Sequence, residues 1–250
     1  MIKEEQQQAY LLHSRPYQDH NCIVELLTQH DGKVSAIAYT GSGIKNNKKA
    51  LLQPFRLLNI VLKGRNTLKN LNRIESSTKS FNMVGDHLYS GFYLNELLVR
   101  LMTEQHPCPD LFNCYQQSLS DFVLNKPLEK ILRHFEMVLL IELGILFDFS
   151  TLDEFAHLKQ KDEQGFVLSN NVEKVFFSPE QGFVPVLNNQ QIPCYTGTYT
   201  IEHIQAIAAQ RLDSVDVMFT YKRLMRQVLN ALLGNKPLNS RKFFTNKKTL

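Results

Sequence analysis

NCIVELLTQHDGKVSAIAY, residues 21–39, holds Asp31-Gly32 between two runs of apolar and β-branched residues. Asp-Gly between such runs is a strong hairpin signal. The pattern extends both ways. AYLLHS (9–14) reads as a strand before it. After it come FRLLNIVLK (55–63), entered behind Pro54, and LKNLNRIES (68–76), entered through the turn residues GRN (64–66). Five short strands within the first 80 residues close most economically into a barrel, which removes edges that would otherwise pair with other chains. An OB-fold is the commonest such barrel; an SH3-like barrel is its rival.

From about residue 82 the period becomes helical. In DHLYSGFYLNELLVRLM (86–102), Leu88, Phe92, Leu97 and Leu101 share a face, with Tyr89, Tyr93 and Leu98 beside them. PDLFNCYQQSLSDFVL (109–124) opens on Pro109-Asp110, an ordinary helix entry. PLEKILRHFEMVLLIELG (127–144) is apolar nearly all round from Met137, which predicts a buried central helix. TIEHIQAIAAQ (200–210) has Thr200 as its N-cap. SVDVMFTYKRLMRQVLNALLG (214–234) runs from Ser214 to a terminating Gly234, with a stripe of Val217, Leu224, Val228 and Leu232. Between these helices, residues 148–199 are irregular, with brief β-like runs such as VEKVFF (172–177). The expected architecture is therefore α+β and multidomain. Residues 1–80 form a five-stranded OB-fold barrel, and residues 81–250 an all-α domain with an irregular, small-β insertion at about 148–199.

Composition is ordinary for a globular chain of 250 residues, with 43% hydrophobic and 21% charged. MIKEEQQQAY is unlike a secretory leader, and the longest apolar run, MVLLI (137–141), stops at Glu142. A soluble, cytoplasmic protein without a membrane partner is expected. Charge is segregated: 12 basic against 6 acidic residues over 1–80, 8 against 18 over 81–220, and 8 against none over 221–250. Basic ends around an acidic middle point to a polyanion-binding surface.

GSGIKNNKKALLQPF (41–55) carries three of those lysines between two strands. Loops of OB-like barrels flank the nucleic-acid groove, where cations follow the phosphate backbone. Lys45, Lys48 and Lys49 are placed at its rim, Arg15 and Lys33 on the first strands, and Lys63, Arg65 and Lys69 around the GRN turn. A lone lysine loop is most simply a solvated one. The surplus over the whole barrel and the acid-free tail favour binding. In the tail, Lys222, Arg223, Arg226, Lys236 and Arg241 continue the candidate DNA-binding set, beyond what a helix dipole would call for.

Catalytic signatures are absent: no phosphate-binding glycine loop, no nucleophile elbow and no H-E-x-x-H. The four cysteines, Cys22, Cys108, Cys114 and Cys194, lack paired short spacing, and His106, Cys108 and Cys114 lack a fourth ligand. No metal, no cofactor and no enzymatic activity are expected.

LLHSRPYQDHNCIVELLTQHDGKVSAIA (11–38), the basic loop and LLQPF (51–55) resemble the N-terminal domain of the RecO family of bacterial DNA-repair proteins. LYSGFYLNELLVRLM (88–102), ILRHFEMVLLIELG (131–144) and KRLMR with LLGNKPLNSR (222–241) resemble its later blocks, in the same order over nearly the whole chain. The resemblance implies a non-enzymatic recombination mediator with an OB barrel and a helical domain. Such proteins bind single- and double-stranded DNA and anneal complementary strands. With RecR they help load RecA onto strands covered by single-strand-binding protein (SSB), whose acidic C-terminal tail they bind through the helical domain. Arg133 matches a basic position implicated in docking that tail, and its neighbour His134 stands where the family often has arginine. Lys222, Arg223 and Arg226 match a basic cluster on a late helix. Two features depart from the family. FDFSTLDEFAHLKQKDEQGF (147–166) lacks the four-cysteine zinc module of many members, and the loop after the third strand carries lysine and asparagine in place of arginine. Lysine offers a point charge and not a bidentate fork, so a weaker grip is expected. The competing functions are an adaptor for acidic protein tails, an OB-fold RNA-binding protein, and a nuclease, for which no carboxylate-rich metal site stands beside the basic segments.

Overall fold

The computed structural model describes residues 6–41, 48–145, 147–156, 160–161, 167–168, 173–186, 197–234 and 236–245. The chain divides into two compact units, Met1–Val138 with Pro237–Leu250, and Leu139–Lys236.

The first unit is built on strands β1 (Gln6–Tyr17), β2 (Asn21–Thr28) and β3 (Gly32–Tyr39), the short helix α1 (Lys48–Leu51), and strands β4 (Arg56–Lys63) and β5 (Lys69–Ser80). They close into a barrel in the order β1-β2-β3-β5-β4, with β1 also pairing β4. The β3–β5 pairing is parallel and the others antiparallel. This is the expected OB-fold, and the SH3-like alternative falls away. The Asp31-Gly32 turn differs in detail. Thr28 pairs with Gly32, so the loop has three residues, and Gly32 takes φ +67° at its end. Thr28 Oγ1 ties the loop, accepting from the Asp31 N–H at 3.1 Å.

Alternation fills the barrel. Ala9, Leu11, Val24, Leu26, Ala36, Ala38, Leu58, Ile60, Leu71 and Ile74 point inward, and Leu52 after α1 closes one end. The register of β1 shifts between Leu11 and His13, leaving Leu12 as a bulge. The bulge's carbonyl is not orphaned: Asn95 Nδ2 donates to it at 3.1 Å. Asn95 in turn accepts from Tyr115 Oη at 2.6 Å.

Those partners lie on α2 (Gly85–Leu101) and α3 (Pro109–Val123), which cover part of the barrel's outside. The outward row Tyr10–Leu27–Lys33, set by register, is buried beneath them. Tyr10 packs among Phe81, Phe112 and Tyr115, with ring centroids 5.1–6.3 Å apart. Burial raises its phenol well above the usual value. The helix α4 (Leu128–Glu142) follows. Ile131, Leu132, Phe135, Leu139 and Leu140 are buried, but Ile141 is half exposed. The expected all-round burial after Met137 is thus corrected, since the helical period carries Ile141 to the face of exposed His134.

The chain's last described segment belongs to the same unit: a 3₁₀ turn, Asn239–Arg241, and α8 (Lys242–Thr245). Glu96 of α2 caps that turn, accepting from the Asn239 and Ser240 N–H groups at 2.8 Å each and from Ser240 Oγ at 2.7 Å. Phe243 stacks on Tyr89 at 5.4 Å, and Leu238 is buried.

The second unit contains α5 (Thr151–Ala156), the two-residue strands β6 (Gln160–Lys161) and β7 (Val167–Leu168), and a three-stranded sheet. That sheet has β8 (Lys174–Ser178) between β9 (Gly182–Pro185) and β10 (Thr198–Thr200). Helices α6 (Ile201–Ala208) and α7 (Val215–Leu232) complete it. The small-β insertion is as expected, with one added helix, α5. Phe147, Phe149, Phe177 and Phe183 form a stacked aromatic core. Thr200 and Ser214 occupy the N-cap positions but make no side-chain cap. On α7, Val217, Leu224 and Val228 are buried as expected, while Leu232 is exposed and Leu233 buried in its place. Among the described residues, no helix is long and apolar enough to cross a membrane.

Candidate nucleic-acid interface

The outside of the β1-β2-β3 sheet is not uniform. One end is the covered row, and the other is open. Register places Arg15, Ile23 and Ile37 side by side on the outer face, and continues through Asn70 to Lys63. Two residues further along, Tyr17, Asn21 and Tyr39 form the next row on that face. Arg15 and Lys63 are exposed, and Ile23 and Ile37 are half-buried. Tyr17 is 37% and Tyr39 52% exposed, high for large aromatic side chains.

The loops at this end are pinned. The His20 carbonyl accepts from the Thr40 N–H at 2.8 Å and from Thr40 Oγ1 at 3.2 Å, joining the β1–β2 turn to the exit of β3. The His20 ring meets Tyr39 edge-on at 6.4 Å. Gln18 holds φ 54° in the turn, beside the acid Asp19. At the end of the β4–β5 turn, Lys69 Nζ donates to the Gly64 carbonyl at 3.1 Å, and Arg65 is exposed.

The basic loop is tied to the same barrel. Lys48 Nζ donates to the Asn72 carbonyl on β5 at 3.3 Å, which leaves it half-buried. Lys49 is exposed, and the Cys22 thiol is raised by burial and partly drawn back by the Lys49 charge. Cys22 pairs with Pro16 and Ala38, one residue from the tyrosine row. Lys45 lies outside the described residues. The sheet thus brings Arg15 and Lys63 into one row, while Lys49 is exposed on α1. In the second unit, Lys222 is half-buried and Arg223 and Arg226 are exposed on α7. The Arg223 guanidinium lies 5.4 Å from the Tyr199 ring and 5.9 Å from that of Phe219. Lys236 is exposed, and Arg241, of the first unit, is half-buried in the 3₁₀ turn.

Two candidates are corrected. Lys33 is only 7% exposed, and its ammonium donates to the Val99 carbonyl at 2.9 Å. Val99 sits in the last turn of α2, where carbonyls lack helical partners and the dipole favours a cation. Lys33 therefore locks α2 to the barrel and does not face a groove. Arg133 is 5% exposed. Its Nη2 donates to Glu136 Oε1 at 2.8 Å, and Tyr93 Oη donates to the same oxygen at 2.6 Å. Burial pushes the Glu136 carboxyl up, against the pull of Arg133 and the Tyr93 hydrogen bond. A surface cation for a carboxylate ligand is thus replaced by an internal ion pair, and His134 is the exposed member of the pair of candidates.

Tyr17 and Tyr39 were not among the residues expected at the site. The strand alternation carries the signal: once Val24 and Ala36 point inward, Tyr39 must point outward at the sheet's open end. Cys108 and Cys114 are buried packing residues, and burial pushes the Cys114 thiol up to about 11. No group of three His, Cys, Asp or Glu placed to hold a metal occurs among the described residues.

Comparison with known proteins accounts for both units. Residues 1–79 match the model described as Recombination protein O N terminal, and residues 84–241 the model Recombination protein O C terminal. The chain is 36% identical over 239 residues to the DNA repair protein RecO of Cellvibrio japonicus, covering 96% of each chain. It is 37% identical to that of Hahella chejuensis, covering 94% of this chain and 92% of the relative. With the protein of Pseudoalteromonas atlantica, identity is 35%, covering 96% and 94%. An OB barrel with an open, cation-bordered face, continued by a helical region that matches along its length, places the chain in the RecO family of DNA-repair proteins.

Proposed function

We propose that this protein is a non-enzymatic mediator of recombinational repair in the bacterial cytoplasm. It binds single- and double-stranded DNA, anneals complementary strands and, with RecR, helps load RecA onto single strands coated by SSB. The observation that carries the reading is the open outer face of β1-β2-β3, where Arg15 shares a row that runs on through Asn70 to Lys63. This face of an OB-fold is the one suited to oligonucleotides, and cations along it answer the phosphate charge. Residues 1–80 are the nucleic-acid domain in this reading, and 81–250 the helical domain that receives the acidic SSB tail. Arg15, Lys45, Lys48, Lys49, Lys63, Arg65 and Lys69 contact DNA on the barrel. Lys222, Arg223, Arg226, Lys236 and Arg241 extend the binding set elsewhere. His134, and not the internally paired Arg133, is available to the tail.

Annealing is the direct test. Complementary oligonucleotides, one labelled and both precoated with SSB, should form duplex faster with the protein than without it. Magnesium should give no protein-dependent cleavage. A chain that leaves the annealing rate unchanged, or cuts the strands, contradicts the reading. RNA oligonucleotides bound in preference to DNA would assign the barrel to RNA.

A further inference from the structure

We propose that Tyr17 and Tyr39 form a base-stacking platform that selects unpaired over paired strands, separate from the cations that hold the phosphates. This deepens the DNA-binding reading above and rests on it. Both tyrosines are outward on β1 and β3 in a single row with Asn21 between them. Two strand spacings separate their backbones, about 10 Å, so each ring takes its own base. Both rings are substantially exposed, although the opposite end of the same sheet face is buried under helices. The neighbouring row supplies the half-buried Ile23 and Ile37, an apolar floor, and Arg15 at its edge. Three hydrogen bonds to the His20 carbonyl, from Thr40 N, Thr40 Oγ1 and Gly41 N, join the β1–β2 turn to the exit of β3. The backbone that carries the rings is thus held in place, so the freedom lost on binding is confined to the ring torsions.

Stacking is blind to base identity and insensitive to salt, whereas phosphate binding is salt-dependent. Duplex bases are already stacked, so the platform has nothing to offer them. The two roles therefore separate experimentally.

Full-length protein is titrated into labelled oligo(dT) and into a labelled duplex, across a salt series. Tyr17→Ala/Tyr39→Ala should weaken oligo(dT) binding about tenfold or more. The log–log salt slope and duplex affinity should stay unchanged. Tyr17→Phe/Tyr39→Phe, which keeps the rings, should bind like the parent. The chain has no tryptophan, so Tyr39→Trp supplies a single indole, whose emission should be quenched by oligo(dT). Parental affinity in the double alanine variant, or an unquenched indole in a variant that binds, overturns the platform while leaving the DNA-binding reading intact. A parent protein that binds neither nucleic acid overturns both. Equal loss for oligo(dT) and duplex overturns the selection of unpaired strands.

Discussion

Lys33 and Arg15 are outward-facing cations on strands of the same sheet, yet they have opposite fates. Lys33 stands at the end covered by α2 and α3, where its charge completes the last turn of a helix. Arg15 stands exposed at the open end, beyond the bulge at Leu12. The covered end is held by buried aromatics and satisfied polar groups, and the open end by little but its loops. What a cation does on this barrel is decided by which row it occupies, not by how basic its neighbourhood is in sequence.

The contrast can be broken most severely at Gly32. A Cβ there would lie 1.8 Å from the His106 carbonyl oxygen, at a φ of +67°. Gly32→Ala should cost roughly 3 kcal/mol or more, seen as a lower midpoint in urea unfolding. Lys33→Ala comes next. It leaves the Val99 carbonyl without its buried donor, and should cost about 2 kcal/mol while the folded fraction keeps its DNA salt slope.

The tail strap gives a smaller and pH-dependent effect. Burial alone would raise the Glu96 carboxyl, but the Ser240 N–H and Oγ, the Asn239 N–H and Arg100 bring it below its usual value. Its contribution is therefore complete above the unfolded carboxylate's pKa of about 4.3 and is lost as pH falls through the lower folded value. Protection of the Asn239 and Ser240 amides, measured against the intrinsic exchange rate at each pH, should be high at neutral pH, lower in acid, and low at both in Glu96→Gln. Smallest of all in stability is Arg15→Ala, expected to move the urea midpoint by less than about 0.5 kcal/mol equivalent while still weakening DNA binding.

Much of this was legible from the sequence. Strand alternation from Asp31-Gly32 outward gave five strands and their closure, because half-buried strands write their pleat into the residue pattern. The helices α2, α3, α6 and α7 followed from period and caps in the same way. The burial of Lys33 and Arg133 was not legible. A buried cation differs from an exposed one only through a partner distant in the chain or on the same helix face, Val99 and Glu136 here. Net charge marked the barrel as basic, but could not say which of its cations the helices α2 and α3 would cover. Tyr17 and Tyr39 were hidden for the converse reason: an aromatic at a strand end reads as core until the register is known.

The most direct measurement of the account is the salt dependence of single-strand binding by fluorescence anisotropy, comparing the parent chain with Arg15→Ala/Lys49→Ala/Lys63→Ala. Removing each phosphate-binding cation should lower the log–log slope by about 0.7, so the triple variant should fall by about 2. The fall should occur without loss of thermal stability. An unchanged slope in the folded triple variant would contradict the open end of the barrel as the DNA-binding face.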